Sequence, residues 1–171
     1  MRNVMQPTRL ATDPIAAAVV HWRERGWSEA AGGMAAITSL MRAHQIALAQ
    51  VETVLKPFGI SFARYEVIML LYLSKRGSLP MSTIGTRLQV HQTSVTNAVD
   101  RLEDAALVVR LPHPSDRRAT LIELTPEGRV LAEHATAALN EQVFSSPGLS
   151  PDSVEALIEI LTQFRSQAGD F

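Results

Sequence analysis

The sequence contains no cysteine among its 171 residues. Disulfide bonds, zinc sites built from thiolates and thiol-based redox switches are therefore excluded. Long apolar runs are also lacking, because the longest one, Val67 to Leu73, is far too short to cross a bilayer. The N-terminal segment has no apolar stretch followed by a small-residue cleavage site, as a secretory signal would have. These absences predict a cytoplasmic protein without membrane contacts.

Net charge is nearly absent, at −1 at neutral pH, and this argues weakly against a nucleic-acid partner. The charges are segregated along the chain, however. From residue 130 onwards Arg165 stands alone against six acidic residues, whereas residues 108–118 carry three arginines and only one acid, Asp116. Since only a local surface contacts a phosphate, the middle of the chain remains a candidate for nucleic-acid binding.

Recognisable catalytic patterns are missing as well. Serine, histidine and aspartate are present, but no nucleophile elbow, glycine-rich phosphate loop or metalloprotease spacing occurs. The five histidines form no close pair along the sequence, so neither a metal site nor a cofactor is predicted. The apolar fraction of 46% does support a packed core, and the length suits one compact domain or a small domain with an added interface.

Start and stop signals divide the first half of the chain into helices. Asp13-Pro14 predicts a first helix that ends at Gly26. A small-residue joint over residues 30–33 is expected before a long amphipathic helix from Met34 to Leu55. Ser61 predicts the cap of a third helix, which reaches about Lys75.

The second half begins with a short helix after Pro80 and a helix over residues 92–106, one side of which is polar. Two β-prone segments, 108–111 and 120–124, predict a hairpin with a long tip. Thr125-Pro126 starts a helix that continues to about Phe144, and Ser150-Pro151 starts the last one.

Three helices followed by a hairpin is the element order of a winged helix-turn-helix. Residues 87–129, RLQVHQTSVTNAVDRLEDAALVVRLPHPSDRRATLIELTPEGR, closely resemble the MarR family of bacterial transcriptional regulators. The resemblance rests on the DRLE phrase at 100–103 with Leu107, on the D-x-R element formed by Asp116 and Arg118, and on Leu124-Thr125 with Gly128. Ala106 stands where the family usually has glycine. The likeness extends over roughly residues 34–164.

This resemblance implies a mainly α fold with a small β-hairpin wing. Residues 1–33 are interpreted as an N-terminal helical extension, 34–60 and 126–171 as a helical dimerisation region, and 61–125 as the DNA-binding lobe. The implied function is a sequence-specific, double-stranded-DNA-binding transcriptional regulator. A ligand-responsive repressor that acts as a homodimer on a pseudo-palindromic operator is expected. The alternatives are a winged helix used only for protein contacts and, less favoured, a small-molecule-processing enzyme.

The predicted DNA contacts lie on the wing and on the polar helix. Arg118 aligns with the family's wing arginine and is expected to enter a minor groove, with Asp116 holding its guanidinium. Arg110 and Arg117 are expected to contact phosphates. Arg101 is assigned either to DNA or to a bridge with Glu103 or Asp104. The remaining polar candidates are Ser82, Thr83, Gln92, Thr93, Ser94, Thr96 and Asn97.

A small aromatic or acidic effector is implied only by the resemblance, because MarR-like proteins commonly bind one between the dimer helices and the DNA lobe. His44, Arg64 and Tyr65 are the candidate contacts, although each also suits a structural role: core packing for His44 and Tyr65, and ion pairing for Arg64. Trp22 and Trp27 in the extension are expected either to add to a dimer interface or to cover a pocket.

Overall fold

The computed structural model describes residues 10–115 and 119–171. The chain divides into two compact units, Met1–Ala49 and Gln50–Phe171. Within the described ranges, no helix combines the length and the apolar character needed to cross a membrane.

The first unit contains helix α1 (Pro14–Glu24) and most of helix α2 (Ser28–Leu55). The Asp13 side chain accepts a hydrogen bond from the Ile15 amide at 2.9 Å, which confirms the predicted N-cap. Trp22 and Trp27 meet edge to face, with their ring centroids 5.3 Å apart. The expected joint at residues 30–33 is wrong, because α2 runs straight through it. Gly32 and Gly33 each cost roughly 1 kcal/mol in the interior of the helix. The alanines and other helix-forming residues around them outweigh this cost.

The second unit contains the remaining helices and all the strands. Its elements are a 3-10 turn (Lys56–Phe58), α3 (Phe62–Tyr72), β1 (Ser78–Pro80), α4 (Met81–Leu88), α5 (Gln92–Asp104), β2 (Val108–Pro112), β3 (Thr120–Leu124), α6 (Pro126–Leu139), a π-helical segment (Asn140–Phe144) and α7 (Pro151–Gln167). The side chains of Ser61, Thr125 and Ser150 cap α3, α6 and α7 as predicted.

The predicted hairpin is formed by β2 and β3, and it is called the wing below. It belongs to a three-stranded antiparallel sheet in the order β1-β3-β2, so an additional strand was missed. Leu79 of β1 and Arg110 of β2 both lie opposite Ile122 of β3. A three-residue strand that ends in proline has too few positions to show an alternating pattern, and it forms only because β3 supplies the hydrogen-bonding edge.

One hydrophobic core lies between α3, α4, α5, the sheet and α6. Ile68, Leu71, Ile84, Val99 and Ile122 are all completely buried in it. This core fixes α4 and α5 against the wing, and it therefore fixes the positions of the polar side chains on their outer faces.

The end of α5 and the start of α6 meet at a tight junction. Thr125 Oγ1 accepts from the Gly128 amide at 2.9 Å and lies 2.9 Å from the Ala106 carbonyl oxygen, to which it donates. A Cβ at position 128 would overlap the Leu107 carbonyl oxygen, so only glycine fits there. This junction is the structural reason for the spacing between Leu124-Thr125 and Gly128.

Candidate nucleic-acid interface

Helices α4 and α5 form a helix-turn-helix. A Cβ on Gly85 of α4 would lie 3.2 Å from Oε1 of Gln92, so the absence of a side chain lets the first residue of α5 approach closely. Gln89 ends α4 in the left-handed region, at φ 52°. His91 then starts α5, with its Nδ1 accepting from the Thr93 amide at 3.2 Å.

The polar face of α5 is open to solvent. Gln92, Thr93, Ser94 and Asn97 are exposed, whereas Val95, Val99 and Leu102 on the opposite face are buried. Thr96 is half-buried, and its hydroxyl donates to the Gln92 carbonyl at 3.0 Å. Thr96 is therefore less available to a partner than its neighbours are.

Three of the predicted DNA contacts line one cleft of about 440 Å³. Ser82 comes from α4, Gln92 from α5 and Arg110 from β2, and Thr120 of β3 closes the side next to the wing. With Pro80 of β1, residues from five elements converge on one open, polar depression. Thr83 is half-buried on the next position of α4.

The N-terminus of α4 opens into this cleft, since Pro80, Met81 and Ser82 all line it. The N-cap residue is Pro80, whose side chain makes no capping hydrogen bond. The proline side chain offers the first amides of α4 no acceptor, and the amides at the start of a helix together with the positive end of its dipole favour an anion.

Arg110 is held by two carboxylates of α5. Its guanidinium lies 2.5 Å from Oδ1 of Asp100 and also pairs with Glu103, whose Oε1 in addition accepts from the Arg110 amide at 3.3 Å. Burial alone would lower the pKa of Arg110, but the hydrogen bonds to the two acids outweigh it and raise the pKa. Arg110 therefore ties the wing to α5, and its role as a phosphate contact stays a prediction.

Arg101 is exposed on α5 and forms no ion pair with any residue of the described ranges. The suggested bridge from Arg101 to Glu103 or Asp104 is not formed there, and Glu103 pairs with Arg110 instead. The wing residues Asp116, Arg117 and Arg118 lie outside the described residues, and their DNA contacts stay predictions.

The candidate effector residues are found in different surroundings. Tyr65 is buried in the core, where its hydroxyl lies 2.9 Å from Oγ1 of Thr136. Arg64 lines a separate cleft of about 430 Å³ together with Glu52 and Lys56. His44 is an exposed residue of the first unit.

The sequence did not single out three cations of the same lobe, namely Lys75, Arg76 and Arg87. They line another cleft, of about 390 Å³, beside α4 and β1. The signal was weak because Lys75 and Arg76 stand in a turn, where charges are usually only solvated, and Arg87 lies eleven residues beyond Arg76.

The three-helix core, the wing and the polar α5 define a winged-helix DNA-binding protein. The MarR family model matches residues 63–120. The regulator MhqR of Bacillus subtilis is 30% identical over 118 residues, which span 66% of this chain and 77% of MhqR. The chain belongs to the MarR family, and this confirms the expectation of a DNA-binding transcriptional regulator rather than an enzyme.

Solved structures agree with this assignment. Sco5413, a MarR family transcriptional regulator from Streptomyces coelicolor, matches with a TM-score of 0.75 and 47% identity over 82% of this chain and 97% of that one. Bordetella bronchiseptica BpsR, whose DNA binding is regulated by 6-hydroxynicotinic acid, matches with a TM-score of 0.65 and 25% identity over 74% and 96% of the two chains.

Proposed function

We propose that the protein is a homodimeric repressor that binds a pseudo-palindromic operator and responds to a small acidic effector. The observation that carries the DNA-binding geometry is the cleft in which Ser82, Gln92 and Arg110 converge beside the uncapped start of α4. A phosphate oxygen placed there would accept hydrogen bonds from the amides at the start of α4 and from the side chains of Ser82 and Gln92.

In this proposal α5 enters the major groove. Ser94, Asn97 and Arg101 stand three and four residues apart, so they share one exposed face of the helix. Short hydroxyl and amide side chains permit a close approach to base edges, and arginine suits a guanine. The wing then reaches the adjacent minor groove, where Arg118 meets the enhanced negative potential of a narrow groove.

Dimerisation is supported by apolar surface that the single chain leaves open. Helix α7 contains no buried residue, and Leu157, Ile158, Ile160 and Phe164 are all exposed on it. In the first unit Ile37, Met41 and Ile46 of α2 are exposed as well. Exposed apolar side chains that cluster along a helix favour an interface, and a twofold dimer would present two α5 helices about one duplex turn apart, roughly 34 Å.

The cleft beside Arg64 supports the proposed effector. Its two cations, Lys56 and Arg64, are suited to a carboxylate, and Arg64 is held by Oγ of Ser61 at 3.2 Å and by the Gly59 carbonyl at 3.3 Å. Glu52, the one acid in the lining, is already engaged by the Phe62 amide at 2.7 Å. An aromatic acid such as 6-hydroxynicotinate is the natural first probe, and Arg64→Gln should remove any effect that it has on DNA affinity.

Arg118→Ala tests the DNA-binding proposal. We expect a fall in operator affinity of about tenfold or more with an unchanged circular dichroism spectrum, because each protomer then lacks its arginine in the minor groove. The matched variant Arg118→Lys keeps the charge but not the flat guanidinium, and it should bind with intermediate affinity. Equal affinity of the alanine variant and the parent would reject the assignment and favour a winged helix used for protein contacts.

Salt dependence provides a second test of the same proposal. A dimer that neutralises about ten phosphates should lose about a thousandfold or more in affinity between 50 and 200 mM salt. A flat response would contradict binding through phosphates.

A further inference from the structure

A second cationic surface lies on the DNA-binding lobe, separate from the cleft that contains Ser82 and Gln92. Lys75 and Arg76, in the turn between α3 and β1, face Arg87 near the end of α4 across a depression of about 390 Å³. Its remaining lining residues are Leu73, Ser74, Ser78 and Leu79, so no carboxylate from residues 10–115 or 119–171 contributes to it. The surface formed by Lys75, Arg76 and Arg87 is called the flank cleft below.

The three cations of the flank cleft are exposed, and none of them forms an ion pair with another residue in the part of the chain that the structure describes. Three cations around one depression that no described carboxylate lines create a positive local potential, which attracts anions. The arrangement therefore favours an anionic partner over an empty cleft.

The turn that presents Lys75 and Arg76 is well defined. Oγ of Ser74 donates to the Leu71 carbonyl at 2.8 Å, and the Gly77 amide donates to the Ser74 carbonyl at 3.2 Å. Gly77 has φ +68°, which favours glycine, and its carbonyl accepts from the Leu124 amide at 2.9 Å. Because the turn is bonded to both α3 and β3, the backbone positions of Lys75 and Arg76 are set before any partner binds.

The position of the flank cleft beside α4 indicates the partner. Ser82 lines the first cleft and Arg87 lines the flank cleft, and the five-residue step between them places their side chains about 140° apart around α4. In a helix-turn-helix the first helix crosses the phosphate backbone while the second enters the major groove. A helix with its side chains is about 10–12 Å wide, so a strand that passes the first cleft and crosses α4 meets the flank cleft within a few nucleotides.

We propose that Lys75, Arg76 and Arg87 bind DNA phosphates outside the segment contacted by α5 and the wing, and so lengthen the operator half-site that each protomer covers. The inference rests on the proposed function, because it requires that α4 and α5 face a duplex. An acidic protein surface would also suit three cations, but only a nucleic acid would have to pass both sides of α4.

The test compares the parent protein with the triple variant Lys75→Gln, Arg76→Gln and Arg87→Gln on a duplex selected by the parent protein, with about ten extra base pairs on each side. We expect the slope of log affinity against log salt to decrease by about 0.9 for each phosphate that is no longer neutralised, or about 5 for six phosphates in a dimer. Affinity near physiological salt should fall by about tenfold or more. Hydroxyl-radical footprinting should show that symmetric outer positions become accessible while the central protection is retained.

A control double variant, Arg23→Gln and Arg25→Gln, removes two positive charges from exposed positions of the first unit outside residues 34–60. It should keep the parent's salt slope. A charge-preserving triple variant, Lys75→Arg, Arg76→Lys and Arg87→Lys, should retain most of the parent's affinity, since a phosphate accepts either cation.

An unchanged slope and footprint in the first triple variant would overturn the inference, as would an equal loss of affinity in the control. Failure of the proposed function has a different signature, because the parent protein itself would then bind no duplex even at low salt.

Discussion

Arg110 of β2 and Asp100 of α5 form an ion pair across 2.5 Å, and Glu103 holds the same guanidinium from one turn further along the helix. Both acids belong to the DRLE phrase that marks the family. Through Arg110, both acids hold the wing against α5, the helix that is proposed to read DNA. The side chain of Arg110 is only 28% exposed, so solvent screens this network less than it screens an isolated surface pair.

We predict that Arg110 acts mainly by positioning the wing. Arg110→Gln should lower operator affinity while leaving the salt slope unchanged, whereas removal of a phosphate-binding cation would reduce the slope by about 0.9 per protomer. A double-mutant cycle with Asp100→Asn, measured by denaturant unfolding, should give a coupling of about 0.5–1 kcal/mol. A coupling near zero together with a smaller slope would instead assign Arg110 to the DNA.

Ala106→Gly is expected to stabilise the protein. Ala106 has φ +57° in a Schellman motif, in which its amide donates to the Glu103 carbonyl and the Leu107 amide to the Leu102 carbonyl. An L-residue in this region costs roughly 1–2 kcal/mol, and the larger entropy of glycine in the unfolded chain offsets part of the gain. We expect a net gain of about 0.5–1 kcal/mol in the free energy of unfolding.

The adjacent residue provides the control for this substitution. Ala105 has φ −88°, so Ala105→Gly removes no strain and should destabilise by about 0.5–1 kcal/mol. If Ala106→Gly is destabilised as much as Ala105→Gly, the left-handed conformation of Ala106 does not strain the folded protein.

Glu66→Gln should stabilise the protein at neutral pH. Burial raises the pKa of Glu66, which means that the folded state favours the protonated carboxyl over the carboxylate. The ionised group therefore costs stability at pH 7, and this cost disappears as the pH falls below the usual range of a glutamate. The difference in melting temperature between variant and parent should be largest near pH 7 and shrink on acidification. A difference independent of pH would show that burial of the charge is not responsible.

Ile158→Asp should dissociate the proposed dimer. Ile158 is 59% exposed on α7, and a charge there would have to be desolvated if the helix is buried between two protomers. Sedimentation equilibrium should show a shift towards monomer, and operator affinity should fall because half-sites are no longer bound together. Glu155→Gln on the same helix is the matched control. A variant that remains dimeric would place the interface elsewhere.

Much of the secondary structure could be predicted because its causes are local. Asp13, Ser61, Thr125 and Ser150 each cap the helix that follows them, and such a hydrogen bond depends on residues only two or three positions apart. The DRLE phrase and the D-x-R element led from the sequence to the family. The joint at residues 30–33 was misplaced because local glycine content indicated a break that the rest of the helix overcame.

The sequence by itself determined the order of the elements and the polar face of α5, since both follow from short-range periodicity and capping. The winged-helix class followed from that order together with the resemblance carried by the DRLE phrase and the D-x-R element. Only the tertiary structure decided which strands pair and which charged side chains come together. The third strand β1, the capture of Arg110 by Asp100 and Glu103, and the cleft that Arg87 shares with Lys75 and Arg76 all bring together residues of different secondary-structure elements. Such pairings depend on how helices pack around a shared core, and a linear pattern of charges does not specify that packing.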